Sequence, residues 1–180
     1  VYLPGVSFAT YEALVTEIED RRHLRITYHH GEMEIMSPTQ DHERNKKLIS
    51  RMIETITDEL GIPVMSCGST TFKDQLKDSG LEPDECYYLQ HEAEVRGKKI
   101  KLSEDPPPDL VLEVDITTSV LDRFPVYASL EFPEIWQYVE GEIVIHLLQP
   151  GGSYGVAPKS QALPMVSVKK LVEHLERSDE

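Results

Sequence analysis

Two acidic motifs carry the chemistry open to this chain: Glu82-Pro83-Asp84, and the run Asp109-Leu110-Val111-Leu112-Glu113-Val114-Asp115. In the second, Leu110, Val111, Leu112 and Val114 read as a strand covered on both faces. An unpaired carboxylate is costly to bury in such a strand. Strand alternation puts Asp109, Val111, Glu113 and Asp115 on one face. Two carboxylates about 5 Å apart repel by about 3 kcal/mol at an effective dielectric of about 20. A divalent cation would remove that repulsion, and hard oxygen ligands suit magnesium or manganese. The alternative is that Asp109 and Asp115 are the hydrated ends of the strand, which leaves only Glu113 to explain.

The elements that must position these acids can be read along the chain. Residues 7 to 21 read as a helix with Leu14, Val15 and Ile18 on one face and Ser7 or Thr10 as N-cap. Leu24, Ile26 and Tyr28 alternate, His30-Gly31 turns, and Glu32 to Met36 completes a hairpin. Glu32 and Glu34 then fall on its solvent face. Asp41 is the expected cap of a long helix whose stripe is Ile49, Met52, Ile53, Ile56 and Leu60, ended by Gly61. Short strands are expected at 64 to 67, 70 to 73 and 85 to 89. Residues 90 to 108 read as a charged surface loop. Thr118 or Ser119 is expected to start a short helix. A second hairpin pairs 135 to 139 with 142 to 148, and Ser167 caps a last helix bearing Leu171, Val172 and Leu175. No repeat or linker divides the chain, so one domain over 1 to 180 is expected, of α/β or α+β class around a mixed sheet.

Composition sets the outer bounds. The 180 residues suffice for one sizeable core, and 39% hydrophobic with 28% charged residues is ordinary for a globular protein. There is no apolar run long enough to span a bilayer and no signal-peptide pattern, and the two cysteines form no CxxC pair, so cytoplasm is expected. The net charge of −14 weighs against broad phosphate contact through side chains, although bound metal can carry it locally. The densest basic cluster is Lys98-Lys99-Ile100-Lys101 with Arg96, either a solvated hairpin or a contact for a DNA backbone.

The order of motifs resembles a known family. Gly31-Glu32 is followed by Ser37-Pro38, His42 at a helix start, Glu82-Pro83-Asp84, Glu113-Val114-Asp115, Tyr127 and Pro133-Glu134-Ile135-Trp136-Gln137-Tyr138. This is similar to the bacterial putative restriction endonuclease family, a domain of unknown function in the PD-(D/E)XK nuclease superfamily. The resemblance covers about residues 5 to 176. It implies a restriction-endonuclease-like core, a central mixed β-sheet flanked by helices, with the N-terminal helix and hairpin added. It also implies a Mg2+- or Mn2+-dependent endonuclease acting on DNA phosphodiester bonds. Carried over, Asp84 and Glu113 would be metal ligands, with the Val114 carbonyl a third and His42 orienting the phosphate or a water. A homodimer would fit an enzyme that cuts both strands.

The chain departs from the superfamily pattern at one position. The lysine expected two residues after Glu113 is Asp115, which could serve as a further metal ligand. In the family the lysine often comes from the next helix, one turn before the tyrosine matched by Tyr127, and that position is Arg123. Arginine keeps the charge and grips phosphate, but does not readily act as a base. The alternative function is therefore a catalytically degenerate nuclease fold that binds DNA or a protein partner. Several residues also have plainer readings. His42 could be a surface or satisfied core histidine, Trp136 and Tyr138 core aromatics, and Arg123 a partner of Asp122 or Glu131. Asp109, the rival of Asp84 as first metal acid, could simply cap the loop, and Glu32 could support the site from outside.

Overall fold

The structure, a computed structural model, describes residues 1–18, 24–114 and 119–177. Its elements in order are β1 (Tyr2–Pro4), α1 (Phe8–Ile18), β2 (Arg25–His29), β3 (Glu32–Met36), α2 (Gln40–Glu59), β4 (Met65–Ser66), β5 (Phe72–Asp74) and β6 (Ser79–Leu81). There follow β7 (Glu85–Tyr88), α3 (Glu92–Val95), β8 (Leu110–Val114), α4 (Arg123–Ser129), β9 (Glu134–Val139), β10 (Glu142–Leu148), β11 (Tyr154–Ala157) and α5 (Val168–Arg177).

The expected central mixed sheet is present, and the N-terminal hairpin belongs to a second sheet. A six-stranded mixed sheet has the order β11-β10-β9-β8-β7-β4, and a five-stranded antiparallel sheet has the order β1-β3-β2-β6-β5. The parallel pair is β8 with β9, joined across α4, and β7 flanks β8 antiparallel. Strand β8 is therefore central, and all five of its residues are buried. Its alternation sorts the core. Leu110, Leu112 and Val114 join Ile49 and Ile53 of α2 and Leu171 and Leu175 of α5 on one face. Val111 packs on the other with Cys86, Ile135 and the α4 residues Val126 and Tyr127. Glu113 shares that second face, so its carboxylate points into the layer that contains α4.

Both hairpins turn on residues with positive φ, His30-Gly31 at 48° and 87° and Glu140-Gly141 at 51° and 82°. Two-residue loops of this kind match the right-handed twist of the strands. The cap expected at Asp41 is instead Thr39, whose hydroxyl accepts from His42 N–H at 3.3 Å. Thr39 is itself extended, and Asp41 sits in the first turn, where its charge meets the helix dipole. Helix α4 starts later than expected, with Asp122 accepting from Phe124 N–H at 3.0 Å. Of the two expected starters, Ser119 donates to Glu34 instead, and Thr118 lies outside the described residues. The expected helix over 7 to 21 is found as Phe8–Ile18, and 19 to 21 also lie outside.

A separate small core holds the five-stranded sheet to α1. Tyr11 stacks on Tyr28 at 5.0 Å between centroids, and both are buried with Val15, Ile26 and Met33. Gly80 on β6 lies beneath that stack. A Cβ added there would stand 2.2 Å from the Tyr11 hydroxyl and 2.7 Å from two ring carbons. Because Phe8 and Tyr28 fix the ring on its other sides, Gly80→Ala should destabilise the fold by about 1–3 kcal/mol. Urea denaturation checks this, and an unshifted midpoint would show that Tyr11 can move aside.

Candidate active site

Five segments bring polar side chains to one place. Arg25 comes from β2, His42 from the first turn of α2, Asp84 from the turn entering β7, Glu113 from β8 and Arg123 from the start of α4. With Pro38, Ser119 and a few neighbours they line a cavity of about 90 Å³. That is room for about three waters. Asp84, Glu113 and Arg123 are each no more than 5% exposed, so their charges must be met inside the protein.

Asp84 is held from two sides. Its Oδ2 accepts from His42 Nε2 at 2.9 Å and from Val114 N–H at 2.8 Å, while Oδ1 lies 3.8 Å from Arg25 Nε. The bond to Val114 ties Asp84 to the residue after Glu113, which links the two acidic motifs directly. Glu113 Oε1 accepts from Arg123 Nη2 at 2.6 Å and from the Tyr127 hydroxyl. Arg123 Nη2 also reaches the Glu82 carbonyl at 2.7 Å, and Nη1 reaches Thr27 Oγ1 at 3.2 Å. The guanidinium therefore clamps β2, the turn before Asp84, β8 and its own helix, with its terminal nitrogens already engaged.

The electrostatics follow from burial set against these contacts. Burial pushes the Glu113 carboxyl up to about 7, against the pull of Arg123 and with a further push from Asp84. For Asp84 burial also acts upward, but the hydrogen bond and charge of His42 outweigh it and hold the carboxyl below its ordinary value. Burial would lower His42, yet the Asp84 bond and charge raise it. Burial likewise opposes the charge on Arg123, and the Glu113 carboxylate overcomes it and raises the guanidinium further. Two neighbouring carboxyls thus differ in proton affinity, Asp84 ionised and Glu113 poised near neutrality.

The remaining candidates fall elsewhere. Asp109 caps a turn, its Oδ2 accepting from Leu89 N–H at 2.7 Å and His91 N–H at 3.0 Å, and it is absent from the cavity lining. Asp115 lies outside the described residues. Glu34, expected on a solvent face, is buried and accepts from Ser119 Oγ and the N–H groups of Val120 and Leu121. Glu32 is exposed and bonds Tyr2, away from the site. Arg123 pairs with neither Asp122 nor Glu131, since Asp122 caps α4 and Glu131 binds Lys77. Trp136 is core, fully buried and donating to Glu134. The basic run does not form a hairpin. Arg96 pairs with Glu92, Lys98 with Asp105 and Lys101 with Glu104.

Sequence reasoning missed Arg25, Thr27 and the Tyr127 hydroxyl. The alternation of Leu24, Ile26 and Tyr28 marks a strand with one solvated face, but both faces of β2 are covered. Ile26 and Tyr28 pack on α1, while Arg25 turns toward Asp84 and Thr27 toward Arg123. An arginine and a threonine alternating with core residues carry no signal that separates a solvated face from a buried polar one.

Comparisons with known proteins bear on the fold and the family. A crystal structure of a putative nuclease belonging to DUF820, from Anabaena variabilis, matches with a TM-score of 0.54 at 12% identity. The match covers 83% of this chain and 90% of that one, and supports a restriction-endonuclease-like fold. A search of curated proteins finds no match. The sequence model of the Uma2 family, described as Putative restriction endonuclease, matches residues 8–178. With nearly the whole chain covered, this protein belongs to that family.

Proposed function

We propose that the protein is a metal-dependent endonuclease that hydrolyses DNA phosphodiester bonds at the Asp84–Glu113 cavity. The observation that carries this reading is the meeting of both motif acids, His42 and Arg123 around one small cavity. The donor set fits a hard divalent cation, magnesium or manganese. Asp84 and Glu113 offer carboxylate oxygens, and the bonds described above occupy one oxygen of each. Among the described residues no group of three His, Cys, Asp or Glu side chains is arranged to hold a metal ion. Asp115 is proposed as a further ligand. When bound, the ion would lower the pKa of its water and neutralise charge on the phosphate.

The side chains supply the rest. His42, whose proton affinity Asp84 raises, holds that carboxylate through Nε2. Its buried Nδ1 makes no hydrogen bond and lies 3.6 Å from Glu43 Oε1, and it is the ring nitrogen proposed to meet a phosphate oxygen. Arg123 sets the orientation of Glu113 and supplies positive charge beside the reacting phosphate. That its terminal nitrogens are engaged, with Asp115 in the lysine slot, favours the second reading, a nuclease fold that binds DNA without cutting it.

Plasmid nicking and thermal melting with Mn2+ test both readings. The wild type should nick DNA and gain melting temperature with the ion, and Asp84→Asn should lose both while remaining folded. Nicking by Asp84→Asn at the wild-type rate would overturn the site. A manganese-dependent gain without nicking would favour the binding-only reading.

The route for DNA follows from the cleft beside the cavity. Lys98 and Lys99 line a cleft of about 720 Å³ together with Arg25, Thr70 and Thr71, and Arg25 also lines the Asp84 cavity. Lys101 does not line it. Lys98→Glu with Lys99→Glu should weaken DNA binding and flatten its salt slope by about one unit for each phosphate that is no longer neutralised. Lys101→Glu should leave both unchanged. Equal effects in the two variants would show a general charge effect and not a binding path.

A further inference from the structure

Cys67 and Cys86 are the two cysteines of the chain, and both are free thiols. Strand β4 pairs with β7 so that Met65 faces Tyr88 and Ser66 faces Tyr87. The next pair in that register is Cys67 facing Cys86, and Cys67 N–H donates to the Cys86 carbonyl at 2.9 Å. Directly opposed residues of antiparallel strands have Cα atoms about 4.5–5.5 Å apart. A disulfide spans about 4.4–6.8 Å between Cα atoms. The exposure of the two thiols differs usefully. Cys86 is fully buried, whereas Cys67 is half-buried and lines the wide cleft next to the catalytic cavity.

We propose that Cys67 and Cys86 form a reversible dithiol–disulfide pair that locks the cleft wall onto β7 under oxidising conditions. The oxidant is hydrogen peroxide, which the cleft admits to Cys67. The Cys67 sulfur attacks the peroxide oxygen, breaking the O–O bond to give a sulfenic acid and one water. The Cys86 sulfur then attacks that sulfur, forming the S–S bond and releasing the second water. Two thiols are thereby oxidised, one peroxide is reduced to two waters, and a dithiol reductant reverses the step. The lock falls on a segment that matters for the cleft. Gly68 to Thr71 line it directly after Cys67, the Gly68 carbonyl lies 3.4 Å from Cys86 Sγ, and the Thr71 hydroxyl holds Glu82. At the other end, Cys86 stands two residues after Asp84. The inference is independent of the nuclease reading, because it concerns thiol chemistry alone.

The test treats the full chain with hydrogen peroxide and measures intact mass, free thiols in denaturant, and amide hydrogen exchange. The oxidised wild type should lose the mass of two hydrogens, titrate no thiols, stay monomeric on a non-reducing gel, and recover fully with dithiothreitol. Exchange of amides 67 to 71 should slow in the oxidised form. Cys67→Ser, a conservative change at the more exposed position, should show no such mass loss while melting like the reduced wild type. The pair is overturned if the wild type gains oxygen without losing thiols as a pair, or cross-links only between molecules. The locking role is overturned if the disulfide forms and exchange over 67 to 71 does not slow.

Discussion

Arg123→Ala should cost about 3–5 kcal/mol of stability, the penalty typical of leaving one half of a buried ion pair behind. The guanidinium meets Glu113, the Glu82 carbonyl, Thr27 and Tyr127, and all four lose a partner together. Cleavage, measured at a temperature where the variant is folded, should fall by about 10²- to 10³-fold, the size expected when one aligned charge donor is removed. Arg123→Lys separates the two roles. A lysine can reach Glu113 with one ammonium but cannot also bridge Thr27 and the Glu82 carbonyl, so stability should recover only in part. Its cleavage should be retained or raised, since a lysine beside a metal can lower its pKa and exchange protons. Urea denaturation and plasmid nicking read the two effects. If Arg123→Ala keeps wild-type stability and rate, the clamp is incidental and the binding-only reading gains.

Much of this arrangement is legible in the chain, for identifiable reasons. The apolar run around Glu113 marks a doubly covered strand, and β8 lies between β7 and β9 with every residue buried. The stripe Ile49, Met52, Ile53, Ile56 marks α2, and the His30-Gly31 and Glu140-Gly141 turns mark both hairpins. What escapes is set by partners distant in sequence. Strands β1, β6 and β11 run only three or four residues, too short for alternation to register. Glu34 alternates with Met33 and Ile35 as a solvated residue would, yet it is buried beneath the 119–121 backbone it binds, eighty-odd residues on. Asp109 looks like a metal acid until the folded turn at 89–91 supplies its N–H donors. The division into two sheets is invisible for the same reason, since pairing of β2 with β6 spans about fifty residues of sequence.

Glu113→Gln should abolish the thermal stabilisation by manganese and reveal the proton that competes for the site. In the wild type, saturation at about 100 times Kd should add about 2.7 kcal/mol. Because burial lifts the Glu113 carboxyl to about 7, that gain should be weak near pH 6 and grow through neutrality as the proton leaves. Glutamine has neither the charge nor the titration, so it should give no gain at any pH. The metal-free proteins should diverge in the complementary sense. A carboxyl raised from 4.5 to about 7 on folding binds its proton more tightly in the native state. Its contribution to stability is therefore complete below about pH 4.5 and is lost as pH rises through about 7. The wild type should lose stability relative to Glu113→Gln across that window and run parallel to it above pH 8. A constant difference between the two proteins from pH 4 to pH 8 would show Glu113 ionised throughout by its pairing with Arg123. Equal manganese stabilisation in both would remove Glu113 from the metal site.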